Sequence, residues 1–249
     1  METRVSLSFG TDGARELLLA PLTGQDEAAA PGAQDLLRRL ARPGPGIVHG
    51  AGIDMLTPGD RDRALAALYR ALYGRDVRAD AVCSACAAKY EIRFDLGALQ
   101  ASRAPDGSAA GDPPAITLGQ SVLRLPRIAD LAGPPGTFLE RLTLEGPVPD
   151  EDAAAAALEA ADPALELDLA GTCPECDARQ AVPFSIRRFL EAALRRDRAF
   201  LLREVHLIAA AYHWSLAEIL GLTRADRQGF ARLLIAEREA AVQPVRRAS

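Results

Sequence analysis

Four cysteines are the residues in this sequence best equipped for chemistry. They form two C-x-x-C pairs, Cys83 with Cys86 and Cys173 with Cys176, and none is left over. A tight C-x-x-C turn aims two thiolates at one point, which is half of a closed tetrahedral zinc site. Two such knuckles facing each other complete it. The reading is therefore one structural zinc ion that ties two distant stretches together. The competing readings are a redox dithiol and disulfides. A redox C-x-x-C opens a helix, whose dipole lowers the thiol pKa, whereas both pairs here are followed by strand-like alternation. The start Met1-Glu2-Thr3-Arg4 lacks the apolar core of a leader, and in that setting paired cysteines favour metal over disulfides. A catalytic zinc needs an open position, and four thiolates close it.

The two cysteine segments match each other without a gap. Counting from Cys86 and from Cys176, a basic residue falls third (Lys89, Arg179) and a β-branched residue sixth (Ile92, Val182). Phenylalanine is eighth (Phe94, Phe184), an aliphatic residue tenth (Leu96, Ile186), and Leu99 and Phe189 are thirteenth. This predicts two equivalent β-turn-β knuckles. Ile92, Phe94 and Leu96, with Val182, Phe184 and Ile186, pack a strand face under the metal. Lys89 and Arg179 offset the charge, because four thiolates and one divalent zinc carry two net negative charges.

Other residues carry weaker signals. His206 and His213 lie seven apart and could share a helix face; with the metal saturated by sulfur, they read as hydrogen-bonded structural residues. His49 stands alone in a Gly-rich loop, and Gly119-Gln120-Ser121 lacks the trailing glycine of a nucleophile elbow. Phosphate-loop and dinucleotide fingerprints are missing. Arg187, Arg188, Arg195, Arg196 and Arg198 alternate with Glu191 and Asp197 over several helix faces, the pattern of a solvated surface. No catalytic constellation emerges.

The elements that must position the cysteines read as follows. Arg4 to Phe9, the turn Gly10-Thr11-Asp12-Gly13 and Glu16 to Leu22 predict a β-hairpin. Thr23 caps a helix through Glu27, which Pro31 breaks or restarts before Leu36 to Leu40. Thr57 with Pro58 opens a helix that stops at Gly74. Residues 97–115 read as a Gly/Ala/Pro/Ser-rich loop. Ile116 to Leu118 and Ser121 to Leu125 predict a second hairpin, and Asp150 to Ala161 a surface helix. From Ile186 the chain reads as helical, breaking near Trp214 where Ser215 and Glu218 form a capping box, with a looser one at Thr223 and Asp226.

The fold class expected is α+β. It comprises an N-terminal hairpin with helices (1–75), a duplicated zinc-ribbon-like β core (76–186) interrupted by an insertion (97–165), and a helical C-terminal region (187–249), together one compact unit. With 249 residues, 49% of them hydrophobic, the chain has ample core. A net charge of -5 and 5% aromatics argue against a nucleic-acid partner. The single lysine, Lys89, among many arginines reads as compositional bias. No apolar run is long enough to span a bilayer, so no membrane partner and a cytoplasmic location are expected.

The stretch Glu204-Val-His206-Leu-Ile-Ala-Ala-Ala-Tyr212-His213-Trp214-Ser215-Leu-Ala-Glu218-Ile-Leu-Gly-Leu222 resembles the helical end of the baseplate hub assembly protein family of contractile-tailed phages, whose relatives occur in phage-tail-like contractile injection systems. The order of parts is also similar: Leu18 to Glu27 after a hairpin, Leu56-Thr-Pro-Gly-Asp-Arg61 opening a helix, then paired knuckles around an insertion. The resemblance implies a non-enzymatic assembly chaperone or minor structural component with protein partners in a tail or baseplate. Tyr212, His213 and Trp214 are the expected partner contact, since Trp and Tyr are favoured interface anchors; Trp214 could equally pack the helix corner. The rival readings are a zinc-ribbon nucleic-acid-binding regulator and a zinc hydrolase, the latter disfavoured by the closed ligand set.

Overall fold

A computed structural model describes residues 2–104 and 114–242 and shows an α+β protein. The chain opens with β1 (Thr3–Thr11) and β2 (Ala14–Leu19), antiparallel as the alternation predicts. Residues 20–22, expected to continue β2, instead leave the strand, and the Ala20 N–H donates to the Leu40 carbonyl (2.8 Å). Helix α1 (Gly24–Ala29) starts at Thr23 in a capping box with Asp26, and α2 (Ala33–Leu40) buries Leu36, Leu37 and Leu40. Helix α3 (Pro58–Tyr73) is capped by the Thr57 hydroxyl and ends at Gly74, whose φ of 88° lies where glycine is unstrained. Its middle, Ala64 to Tyr69, is buried all round, so α3 is the central rod of the main core.

Two further hairpins follow the same plan. The first is β3 (Asp76–Val82) with β4 (Lys89–Asp95), continuing into α4 (Leu96–Ser102). The insertion then contributes β5 (Ile116–Leu118), β6 (Ser121–Leu123), α5 (Phe138–Leu142), β7 (Thr143–Glu145) and α6 (Glu151–Ala161) around a small core of Leu123, Leu142 and Ala154. The second hairpin is β8 (Glu166–Thr172) with β9 (Arg179–Ser185), continuing into α7 (Ile186–Tyr212). Helices α8 (Leu216–Gly221) and α9 (Arg224–Val242) complete the chain.

The reading of 97–115 as a loop is corrected for its first part. Residues 97–102 belong to α4, where the Asp95 carboxylate accepts the Ala98 N–H (2.8 Å) and Leu96 is buried. Residues 105–113 lie outside the described set. The insertion hairpin also gains a third strand, because β7 pairs with β6.

Buried polar joints hold these parts together. Asp60, fully buried in the first turn of α3, accepts the N–H groups of Ser8 (2.7 Å), Phe9 (2.9 Å) and Gly10 (2.8 Å). These residues lie where the β1–β2 register breaks, between Ser6 and Thr11, so a carboxylate takes donors that β2 does not. Asp162 accepts the Gly59 N–H (2.8 Å) and Asp62 the Leu165 N–H (2.9 Å), which fasten the end of the insertion to the same helix start. At the other end, Arg227 is 1% exposed and bridges Glu27 and Glu204. Arg224 pairs with Glu27 and Asp197 and lies 5.1 Å over the Tyr73 ring. Burial pushes the Glu27 carboxyl up, against the pull of Arg227 and Arg224. Charges this deep stay favourable only when every partner is in place.

Candidate metal centre

The knuckles are two copies of one local structure. In the first, the Cys83 N–H donates to the Ala88 carbonyl (2.9 Å) and the Cys83 carbonyl accepts from Ala87 (2.9 Å). In the second, Cys173 does the same with Ala178 (3.0 Å) and Asp177 (3.0 Å). The turn requires a left-handed residue directly after the second cysteine: Ala87 has φ 60° and Asp177 φ 56°. Aspartate tolerates that conformation through its short polar side chain, while alanine carries a strain of about 1–2 kcal/mol. The equivalence extends to both sides. Leu96 and Ile186 each begin a helix and donate to the carbonyls of Arg75 (2.9 Å) and Leu165 (3.0 Å). One constant shift therefore carries residues 75–102 onto residues 165–192.

Facing each other, the hairpins bring Cys83, Cys86, Cys173 and Cys176 together with all four sulfurs within 4.8 Å of one another, a group that can hold a metal ion. Contacts cross between the knuckles: Cys83 to Cys176 is 3.6 Å and Cys86 to Cys173 is 3.7 Å. These separations are far above the roughly 2.05 Å of a disulfide, and all four thiols are free. Cys83 and Cys173 are buried while Cys86 and Cys176 are exposed, so the centre sits at the tip of the paired hairpins with one side open to water. The N–H groups of Cys86 and Ala85 point at the Cys83 sulfur and lower its pKa to about 6. The Ala178 N–H favours a Cys176 thiolate, but hydrogen bonds with Cys86 and Cys83 outweigh it and push that thiol up to about 12. Crowded sulfurs thus share few negative charges until a cation joins them.

Beneath the sulfurs lies a small core of Ala81, Tyr90 and Val182, with Ile92 against it. Phe94 meets Phe184 edge-on at 5.1 Å, Phe184 meets Phe189 at 5.7 Å, and Phe189 meets Tyr69 at 5.4 Å. This aromatic chain joins the centre to the main core, as the alternation after each knuckle predicts. Two residues that the sequence pattern did not single out staple the hairpins. The Gln180 side chain accepts from the Ser84 N–H (2.7 Å) and hydroxyl (3.0 Å) and donates to the Val82 carbonyl (2.9 Å). Its counterpart, Tyr90, is 8% exposed and reaches over Gly171, where a Cβ would stand 2.8 Å from the Tyr90 hydroxyl. Both fall at the same position of the repeat, one residue past Lys89 and Arg179.

Lys89 and Arg179 make no direct contact with the thiols. Their side chains are exposed and make no hydrogen bond or ion pair, with the thiols or otherwise, among the described residues. Both occupy strand ends opposite Val82 and Thr172, which turns them to solvent. The histidines are corrected: His206 and His213 are exposed, and neither side chain is hydrogen-bonded among the described residues. His213 instead serves by its backbone, a left-handed C-cap (φ 56°) that ends α7. Trp214 is half-buried against Phe230 (5.2 Å) and stacks on Tyr212 (5.3 Å), which is 37% exposed. The corner thus packs α7 against α9 while leaving Tyr212 and His213 facing water. No protein-family model, no curated protein and no solved structure matches this chain.

Proposed function

We propose that the chain is a non-enzymatic assembly chaperone or minor structural component of a contractile tail or injection-system baseplate, and that one structural zinc ion holds its paired hairpins. For the metal, the cross-hairpin separations of 3.6 and 3.7 Å carry the reading. Four thiolates at the usual zinc–sulfur bond of about 2.3 Å stand about 3.8 Å apart along each edge of a tetrahedron; the two cross-hairpin edges already match that spacing, and every sulfur pair lies within 4.8 Å. Zinc suits an all-sulfur tetrahedron better than the hard, oxygen-seeking cations do. Bound there, it would supply cross-linking and no chemistry of bond cleavage.

For the assembly role, the support is the resemblance at 18–27, 56–61 and 204–222, together with the place these stretches occupy. Each builds a joint. Glu27 and Glu204 share Arg227, and the Leu22 carbonyl accepts the Arg224 N–H (2.8 Å). Thr57, Gly59 and Asp60 clamp β1 and Asp162 to the start of α3.

Two measurements test these readings separately. Elemental analysis of protein purified without a metal-binding tag should give close to one zinc per chain. A metal-free chain with its cysteines paired as disulfides in fresh lysate would refute the metal. Deleting the gene in its host should abolish intact contractile particles, with restoration by the wild-type copy. Normal particles in the deletion, or sequence-dependent DNA binding at nanomolar levels by the purified chain, would refute the assembly role in favour of a regulator.

A further inference from the structure

Residues 97–165 concentrate the acidity of the chain. Arg103, Arg124, Arg127 and Arg141 stand there against ten Asp and Glu, a formal charge of -6, whereas the whole chain carries -5, leaving the remainder at +1. Three of the four arginines are engaged locally: Arg103 with Glu159 (2.6 Å), Arg124 with Asp130 (2.7 Å), and Arg141 with the Asp130 carbonyl (2.8 Å). Glu140, Glu145, Glu151 and Asp152 are exposed and make no ion pair among the described residues. Between α5 and α6, Glu140 and Glu151 line an apolar groove of about 440 Å³ floored by Phe138, Leu139, Ala155 and Leu158, and Asp152 follows Glu151 in the exposed first turn of α6. Val148 at its edge is 51% exposed and neighbouring Leu144 56%, surface that a small insertion core does not cover.

From this arrangement we infer that the groove docks a basic amphipathic segment of a partner protein, its apolar side chains on Phe138 and Val148 and its cations against Glu140, Glu151 and Asp152. The charge chooses the occupant. A second copy meeting this face with its own would set Glu140 and Glu151 against like carboxylates, and anionic membranes or nucleic acid would be repelled in the same way. A cationic segment gains both burial and complementary potential. The inference takes from the assembly reading only that the partner is a protein.

The test uses the full-length chain and a fluorescein-labelled 18-residue peptide of Leu and Lys at helical spacing, with a Leu/Glu peptide as control. Fluorescence anisotropy should show saturable, salt-weakened binding of the Lys peptide and none of the Glu peptide. The triple variant Glu140→Lys, Glu151→Lys, Asp152→Lys should bind at least tenfold more weakly, and so should Val148→Asp, each with an unchanged circular dichroism spectrum. All these side chains are exposed, so the variants leave the cores untouched. Absence of saturable binding, or binding indifferent to both variants, overturns the proposal. A dimer seen by light scattering and broken by Val148→Asp also overturns it, naming a second copy as the occupant. None of these results alters the outcome of the gene deletion, so the groove and the assembly role stand or fall separately.

Discussion

Asp60→Asn isolates the clamp between α3 and the irregular end of β1. The wild-type carboxylate takes the Ser8 N–H and Arg63 on Oδ1 and the Phe9 and Gly10 N–H groups on Oδ2. Asparagine keeps one acceptor oxygen, which best serves Phe9 and Gly10. Its amide nitrogen then faces the Ser8 N–H and the Arg63 guanidinium, donor against donor. One buried unpaired N–H costs about 1–3 kcal/mol, and losing a charged acceptor adds to it. Arg63 retains Asp162 at 3.8 Å, which limits the second contribution. The sum is about 2–4 kcal/mol out of a typical total of roughly 5–15 kcal/mol, so the variant folds but is clearly weakened. Urea denaturation followed by circular dichroism gives the change in midpoint at constant slope, and hydrogen exchange should show loss of protection at Ser8. A variant within about 0.5 kcal/mol of wild type, with Ser8 still protected, would refute the argument that this carboxylate replaces strand pairing.

Three further outcomes are expected. Ser215→Ala should cost about 1 kcal/mol in thermal or chemical melting, because the Ser215 hydroxyl accepts the Glu218 N–H (3.3 Å) while the Glu218 carboxylate accepts the Ser215 N–H (2.8 Å); an unchanged melting curve would discount the cap. Trp214→Ala should cost about 2–3 kcal/mol, below the range for a fully buried aromatic, and a melting temperature left intact would restore Trp214 as a pure partner contact. Arg124 holds the Asp130 carboxyl below its ordinary value of 3.8, so its contribution is present above that value and is lost as pH falls through the lower folded one. The melting-temperature gap between wild type and Asp130→Asn should therefore be constant above about pH 5 and close towards pH 2; a gap independent of pH would refute it.

The local grammar of this chain was legible in its residues. Thr23, Thr57 and Ser215 cap the helices they were expected to cap, and the two cysteine pairs form matching knuckles, because caps and tight turns depend on residues three or four apart. Helix α4 was hidden by composition: Gly97 and Ala98 read as loop, yet the match to the start of α7 implied a helix there. The strands before the cysteines were implied by the β-turn-β reading, but their bounds were not, since Val77 and Leu167, or Ala81 and Gly171, match in alternation rather than in identity. The polar joints were out of reach for a different reason. Asp60 meets Ser8 across 52 positions, and Arg227 meets Glu27 across 200, so no periodicity records them. Gln180 and Tyr90 become meaningful only once the hairpins face each other.

Cys83 and Cys176 are separated by 93 residues, and Cys86 and Cys173 by 87. During synthesis the first knuckle emerges well before the second. At about 5–20 residues per second, the ribosome leaves it with two of its four ligands for roughly 5–20 s. In that interval the same chain offers no further cysteine, while the first knuckle of a neighbouring nascent chain offers two. The order of translation thus makes this stretch a window for mispairing between chains, which closes only when the second knuckle appears.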